Sequence, residues 1–256
     1  MIGNAIGREG RLICFDRDSE ALALAEEKLS GLLCRKDFVN LAFEFMDREL
    51  RRLEAIPARR ILLDLGVSSM QLDASERGFS FMRDGPLDMR MNRKDGGTAA
   101  DIVNSWPEEK LRQIFEFLGE ERFSRRLAKS VVEKRKKKPI ETTGELSELA
   151  LAAVPYRGRN HPATRMFQAL RMQVNDELGG LSRGLAAAGR MLALGGRLAV
   201  ITFHSLEDRL VKRTFLRWRD LGMVELVNAK VLTPGRMEMS RNSRARSAKL
   251  RVVERL

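Results

Sequence analysis

The sequence predicts an α/β protein in which a parallel sheet is interrupted by a block of helices. Three observations predict it. Two short apolar runs, Leu12-Ile13-Cys14-Phe15 and Ile61-Leu62-Leu63, are too short for helices and end in aspartates, Asp16 and Asp64. A third run, Arg197 to Phe203, follows a helical pattern closed by Gly195-Gly196 and ends at His204. Between the second and third runs, from about Ser75, strand patterning gives way to recurring helix caps, so a helical module divides the sheet.

The first strand spans Arg11 to Phe15. Asp18 then caps a helix carrying Ala21, Leu22, Ala25 and Leu29 at helical spacing until Gly31, which completes a βα unit. Leu41, Phe45 and Arg48 to Leu53 read as a second amphipathic helix leading through Pro57 to the strand at Ile61. Ligands of open parallel sheets bind outside the carboxyl ends of the strands. Asp64, followed by Leu65-Gly66 and Ser68-Ser69, is therefore placed either to meet a ligand or to cap a helix. Asp16, beside Asp18, is open to the same two readings.

In the helical module, Ser105 with Glu108 forms a capping box around Pro107, and the helix through Ile114, Phe115 and Leu118 stops at Gly119. The next helix is expected from Glu120 to Lys137, blocked by Pro139. Phe123, Leu127 and Val131 share one of its faces, and Arg122, Arg125, Arg126, Lys129 and Lys136 cluster on another. Thr142 with Glu145 caps a helix from Leu146 to Val154, ended by Pro155. A basic loop, Tyr156 to His161, precedes a helix with Met166, Phe167, Leu170, Val174 and Leu178 at 3.6 spacing, and another follows from Leu181 to Leu192. Beyond the third strand, Ser205 with Asp208 is expected to cap a helix from Leu206 to Trp218. Weak alternation at Val224, Leu226, Val231 and Leu232, the turn Thr233-Pro234-Gly235 and a strand from Leu250 to Val253 complete the chain. The organisation read from this order is a first part of the sheet domain (1–75), a helical insertion (76–174) and a second part with a basic end (175–256).

A chain of 256 residues, 43% hydrophobic and 32% charged, buries a good core. No apolar run reaches the ~18 residues that a membrane helix needs. Arg8, Glu9 and Arg11 stand where a signal peptide would be apolar, and the expected location is cytoplasmic. Cys14 and Cys34 form no CxxC, and His161 and His204 stand alone, so neither a disulfide framework nor a metal site is expected. The net charge of +12 is concentrated: residues 120–138 hold nine Lys/Arg against three Asp/Glu, and residues 230–256 hold eight against two. These two windows carry the whole excess, which suits a polyanionic partner better than a merely solvated surface.

The string Asp64-Leu65-Gly66-Val67-Ser68-Ser69, then Gln71-Leu72, Arg77-Gly78-Phe79-Ser80-Phe81 and Pro86-Leu87-Asp88-Met89-Arg90-Met91, resembles the bacterial RsmH (MraW) family. The likeness recurs in Phe15-Asp16-Arg17-Asp18, Gly119 to Phe123, His161-Pro162-Ala163-Thr164-Arg165, Phe203 to Arg209 and Ser243 to Ser247, covering nearly all of the chain. The resemblance implies a Rossmann-like class I methyltransferase sheet with an inserted all-helical domain and a closing antiparallel hairpin. It implies S-adenosyl-L-methionine as cofactor, and N4 of a cytidine in the decoding region of 16S rRNA, or of the small ribosomal subunit, as the methylated group. Carried over residue by residue, Asp16 holds ribose, Phe38 packs near adenine, and Asp64 and Gln71 line the cofactor cleft. Arg122, Arg125, Arg126, Lys129 and Lys136 on the basic helix, with Arg244 and Arg246 in the tail, are expected at the RNA backbone. No catalytic residue is carried over; His204 is a catalytic candidate by position alone, with a structural hydrogen-bonding role as the alternative.

The family's glycine-rich cofactor loop is expected to precede residue 1. Gly3, Gly7 and Gly10 follow no strand, and Ile2 to Gly10 matches the turn into the family's second strand. Because the family's first strand is central, its absence implies an N-terminally truncated chain, with genuine loss of function as the alternative, two buried strand edges left unpaired and cofactor affinity severely reduced. Two rival readings follow. A non-catalytic rRNA-binding or ribosome-assembly protein would bind rRNA without cofactor dependence, and a nicotinamide enzyme on a similar scaffold would need the GxGxxG loop.

Overall fold

The computed structural model of the chain describes residues 5–94, 96–155 and 161–256, so most of the basic loop from Tyr156 to His161 lies outside the described residues. In order, the main elements are β1 (Arg11–Phe15), α1 (Ser19–Lys28), β2 (Arg35–Val39), α2 (Met46–Arg52), β3 (Ala58–Asp64), α3 (Ser69–Asp73), α4 (Ala99–Ser105), α5 (Glu108–Phe117) and α6 (Ser124–Arg135). They continue with α7 (Thr143–Ala153), α8 (Ala163–Val174), α9 (Glu177–Met191), β4 (Leu192–Thr202), α10 (Ser205–Asp220), β5 (Val224–Leu226), α11 (Arg236–Arg241) and β6 (Lys249–Arg255). The architecture is α/β, and the chain divides into two compact units: a sheet unit of 1–17, 22–66 and 178–256, and a helical unit of 18–21 and 67–177. Among the described residues no helix is long and apolar enough to cross a membrane.

The sheet unit holds two sheets. β3 and β4 run parallel with Ile61 opposite Leu198 and Asp64 opposite Ile201, and β6 pairs antiparallel with both β4 and β5, giving the order β3-β4-β6-β5. The closing antiparallel strands thus lie at the edge of the sheet, as expected. Leu198, Val200 and Val253 are fully buried and pack with Leu63, Leu185, Val211 and Phe215. The second sheet is the parallel pair β1-β2, running from Arg11 opposite Arg35 to Phe15 opposite Val39. β1 pairs with β2 and β3 with β4, so each keeps one edge without a strand partner among the described residues.

β2 is a strand that sequence reading missed. Its sequence, RKDFV, is too charged to read as buried, but pairing with β1 places those charges on partners. Arg11 donates from Nε to Asp37 Oδ2 at 2.7 Å, and Lys36 Nζ donates to the carbonyls of Leu29, Ser30 and Leu32, the chain just past α1. The helix expected at Leu41 is shorter, with a 3-10 turn at Phe43–Phe45 leading into α2. The cap of α10 also differs from expectation. His204 is the N-cap and Glu207 completes the box, whereas Asp208 accepts from Lys249 Nζ at 3.2 Å and Arg251 Nε at 2.7 Å on β6.

The helical unit packs α4 to α8 around Leu111, Phe115, Leu127, Val131, Ile140, Leu146, Met166 and Leu170, all fully buried. Ser105 does not start a helix. It ends α4, whose capping box is Thr98 with Asp101, while α5 starts behind Pro107 without a side-chain cap. α6 begins at Ser124, later than expected, because Glu120 adopts a left-handed φ of 48° and Glu121 Oε1 accepts from Phe123 N at 2.8 Å. Its predicted apolar face holds, with Leu127 and Val131 fully buried and Phe123 packed on the core. The Thr142–Glu145 box caps α7 as predicted.

Candidate functional site

The sheet unit brings Asp16 and Phe38 to one end of the β1-β2 pair. Asp16 follows the last residue of β1, and its N–H donates to Val39 O at 3.3 Å, while Asn40 Nδ2 donates to Asp16 O at 3.0 Å. Phe38 lies on β2 itself, opposite Cys14, instead of in the loop after a helix. Both residues are half-buried.

Asp64 ends β3. Leu65 N donates to Ile201 O at 3.1 Å, and Gly66 turns the chain at a φ of 90°, a conformation that favours glycine. The Asp64 side chain is exposed, yet the atoms packed around it withdraw part of its hydration. That desolvation, with the nearby negative charge of Glu207, holds the carboxyl above its ordinary range. Glu207 is 2% exposed, and its Oε2 accepts from Phe203 N at 2.8 Å and from His204 N at 3.3 Å. A second acid therefore stands near the first at the carboxyl ends of β3 and β4. Reading Ser205–Asp208 as the cap hid it; the signal was an acid at the third helical position after His204.

His204 itself serves as a cap. Its Nδ1 accepts from Glu207 N at 3.4 Å, which assigns the proton of the neutral ring to Nε2, and Nε2 lies 3.2 Å from Glu207 Oε1 outside hydrogen-bond alignment. That geometry gives His204 a structural hydrogen-bonding role at the start of α10 and is silent on catalysis.

Gln71 belongs to the helical unit. Its Oε1 accepts from Ser68 N at 3.0 Å in a capping box, and its Nε2 donates to Asp18 Oδ2 at 2.7 Å. Only 4% of the residue is exposed, so both ends of the amide are committed inside the protein. Asp18 is also held by Arg77 Nη2 at 2.7 Å, and Arg77 donates further to Glu20 and to the carbonyls of Arg90 and Met91. Burial pushes the Asp18 carboxyl up, but the bonds from Arg77 and Gln71 outweigh it and hold the group below the ordinary carboxylate range. Arg77, named in the sequence only as part of the family string, is the hub that fixes the segment around Gln71.

The basic candidates lie on the surface. Arg122, Arg125, Arg126, Lys129 and Lys136 are exposed on or beside α6, with Lys129 Nζ 3.8 Å from Glu133. Arg244 and Arg246 are exposed on the 3-10 turn Ser243–Ser247.

Residues 4–256 match the model of the MraW methylase family. The chain is 46% identical to "Ribosomal RNA small subunit methyltransferase H" of Symbiobacterium thermophilum over 97% of this chain and 84% of that protein. Proteins of the same name from Elusimicrobium minutum and from Geobacter sp. (strain M21) are each 46% identical, over 98% and 100% of this chain and 85% and 88% of theirs.

Proposed function

From the chain's membership of the MraW methylase family, we propose that it methylates small-subunit ribosomal RNA, and that the acceptor is the exocyclic N4 of a cytidine in the decoding region of 16S rRNA. Its methyl donor is S-adenosylmethionine, whose sulfonium makes the methyl group electrophilic. The acidic end of the β3-β4 pair carries the reading. Two neighbouring carboxyl groups, one raised above its ordinary range by desolvation and by the charge of the other, gain when a cation enters, and the donor is cationic. A carboxylate at the end of β1 suits a ribose diol, and a half-buried Phe38 offers an aromatic face to adenine. The residues present therefore fit the cofactor.

In this proposal Asp16 accepts hydrogen bonds from the ribose hydroxyls, Phe38 packs against the base, and Asp64 stabilises the cationic end. Gln71 joins the cofactor set through the Ser68 loop that its buried amide holds in place. The cytosine amine is a weak nucleophile because its lone pair is delocalised into the ring, so catalysis rests on positioning and electrostatics. The target cytidine must be unstacked to reach the site. Arg122, Arg125, Arg126, Lys129, Lys136, Arg244 and Arg246 supply sequence-independent attraction for the backbone.

Expression of this chain in a bacterial strain lacking its own N4-cytidine methylase, followed by mass spectrometry of 16S rRNA nucleosides, tests the reading. N4-methylcytidine is expected. A soluble chain that binds rRNA without forming it would leave the second reading, an rRNA-binding or assembly protein, which the two basic windows favour. Calorimetry adds a test of the residues: Asp16→Ala and Asp64→Ala should each weaken S-adenosylmethionine about tenfold or more, as expected for loss of a charged hydrogen bond. Because the Asp64 carboxyl titrates above its ordinary range, cofactor affinity should fall as pH drops through that raised value, and the fall should vanish in Asp64→Ala.

A further inference from the structure

An open cleft of about 450 Å³ lies in the helical unit between α5 and the start of α6, lined by Arg112, Glu116, Arg122, Phe123, Ser124, Arg125 and Arg126. Its volume falls in the range of small-ligand pockets, but its walls are charged where such pockets are mostly apolar. Arg112 is immobilised: Nε and Nη2 donate to Glu109 at 2.8 and 2.6 Å, and Nη1 donates to Glu116. Those bonds hold the Glu109 carboxyl down at about 2. Arg122 is placed by its own neighbour, its guanidinium lying 4.7 Å from the centre of the Phe123 ring. Arg125 and Arg126 are exposed and have no ion pair among the described residues. Among the lining residues four guanidinium groups face one carboxylate, Glu116.

Two more observations restrict the occupant. The first turn of α6 has no acidic residue and no side-chain cap, and instead carries Arg125 and Arg126. Glu121, whose Oε1 accepts from Phe123 N at 2.8 Å, is the acid at this helix start, and the guanidinium groups of Arg125 and Arg126 still oppose the helix dipole there, which favours a further anion between them. Phe123 is the aromatic side chain of the lining, and it is packed on the core and covered by Arg122, which leaves no open ring for a base to stack on. Arginine forks bind phosphate oxygens in pairs and suit a backbone better than a base.

We propose that this cleft is a phosphate-binding subsite for the RNA backbone, in which Arg122, Arg125 and Arg126 grip a phosphodiester beside the fixed Arg112. The inference rests on the rRNA reading above and assigns the subsite to one cleft. It separates these arginines from Lys129 and Lys136, which act only through general attraction.

Fluorescence anisotropy of the full chain with a labelled 16S decoding-region hairpin, across a salt series, tests it. The double variant Arg125→Ala/Arg126→Ala should bind about tenfold more weakly, and the slope of log affinity against log salt should shrink by about 0.7–0.9 for each phosphate that the variant no longer neutralises. Arg125→Lys/Arg126→Lys should keep most of the slope but recover only part of the affinity, because lysine keeps the charge and loses the fork. Lys129→Ala/Lys136→Ala should change affinity less than the arginine pair does. Wild-type binding with an unchanged affinity and slope in the arginine-to-alanine pair would overturn the subsite and leave the methylation reading standing. Failure of the wild-type chain to bind the hairpin or intact 16S rRNA would overturn both.

Discussion

Phe115, Leu111 and Leu127 in the helical unit are fully buried, whereas every residue of β1 in the sheet unit keeps part of its surface in contact with water. The difference follows from how the two kinds of element close a core. A helix satisfies its own backbone and needs neighbours only for its apolar stripe, which α4 to α8 supply to one another. A strand needs partners along its edges and cover on its faces. β4 has partners on both edges and buries Leu198, Val200 and Thr202 completely; among the described residues β1 has one, and its Ile13 and Phe15 pack only partly on the core.

Deleting a side chain from each region should widen this contrast most. In urea unfolding, Phe115→Ala should cost about 3–5 kcal/mol, but Ile13→Ala only about 1–2, since a half-buried site loses less transfer energy and leaves a smaller cavity. Equal losses would show that β1 is as well supported as the helical core.

The buried ion pair of the helical unit offers a test of nearly the same size. Arg77 and Asp18 are 2% and 3% exposed, so Arg77→Met strands a buried carboxylate and should cost about 3–5 kcal/mol. Arg11 and Asp37 are more accessible, each 19% exposed, and Arg11→Met should cost roughly 1 kcal/mol. The pH dependence sharpens the point. Because folding lowers the Asp18 pKa, its contribution is complete above the ordinary carboxylate range and is lost as pH falls through the lowered value. The stability gap between the wild type and Asp18→Asn should therefore close in strong acid; a gap independent of pH would contradict the ion pair.

Two glycines with positive φ give an intermediate effect. A Cβ on Gly78 would stand 2.3 Å from Pro86 O and 2.8 Å from Asp88 N, whereas on Gly66 it would meet only Phe203 Cδ2 at 3.5 Å. Gly78→Ala should cost about 2–3 kcal/mol and Gly66→Ala about 1, as read from thermal unfolding. The smallest effect belongs to the exposed Lys129–Glu133 pair at 3.8 Å, where Lys129→Ala should stay within about 0.5 kcal/mol.

The strands with apolar runs, β1, β3 and β4, and the helix faces at Leu127 and Met166 were legible because periodicity reports burial directly. β2 was not, since Arg35, Lys36 and Asp37 look solvated until Arg11, on the neighbouring strand, takes up Asp37 and the carbonyls just past α1 take up Lys36. Caps were legible in type and misread in place. Thr142–Glu145 is correct, while Ser105–Glu108 and Ser205–Asp208 satisfy the same pattern but give way to Thr98–Asp101 and His204–Glu207. The candidate site divides in the same way. Asp16 and Asp64 follow from their places at strand ends, but Glu207 beside Asp64, and Arg77 on Asp18 across 59 residues, depend on tertiary neighbours that no local pattern encodes.

The bonds on Asp208 have an electrical consequence for the end of the chain. Lys249 and Arg251 are spent on that one carboxylate, and Arg255 donates to the carbonyl of Leu192, so formal charge in the last strand overstates the field that solvent feels. Ions condensed on a polyanion are displaced by charge that reaches them, not by charge already neutralised inside a sheet. Titratable charge counted along a basic tail and the number of counterions that the tail releases are thus separate quantities here, and the second is set by exposed arginines ahead of β6 such as Arg236, Arg241 and Arg246.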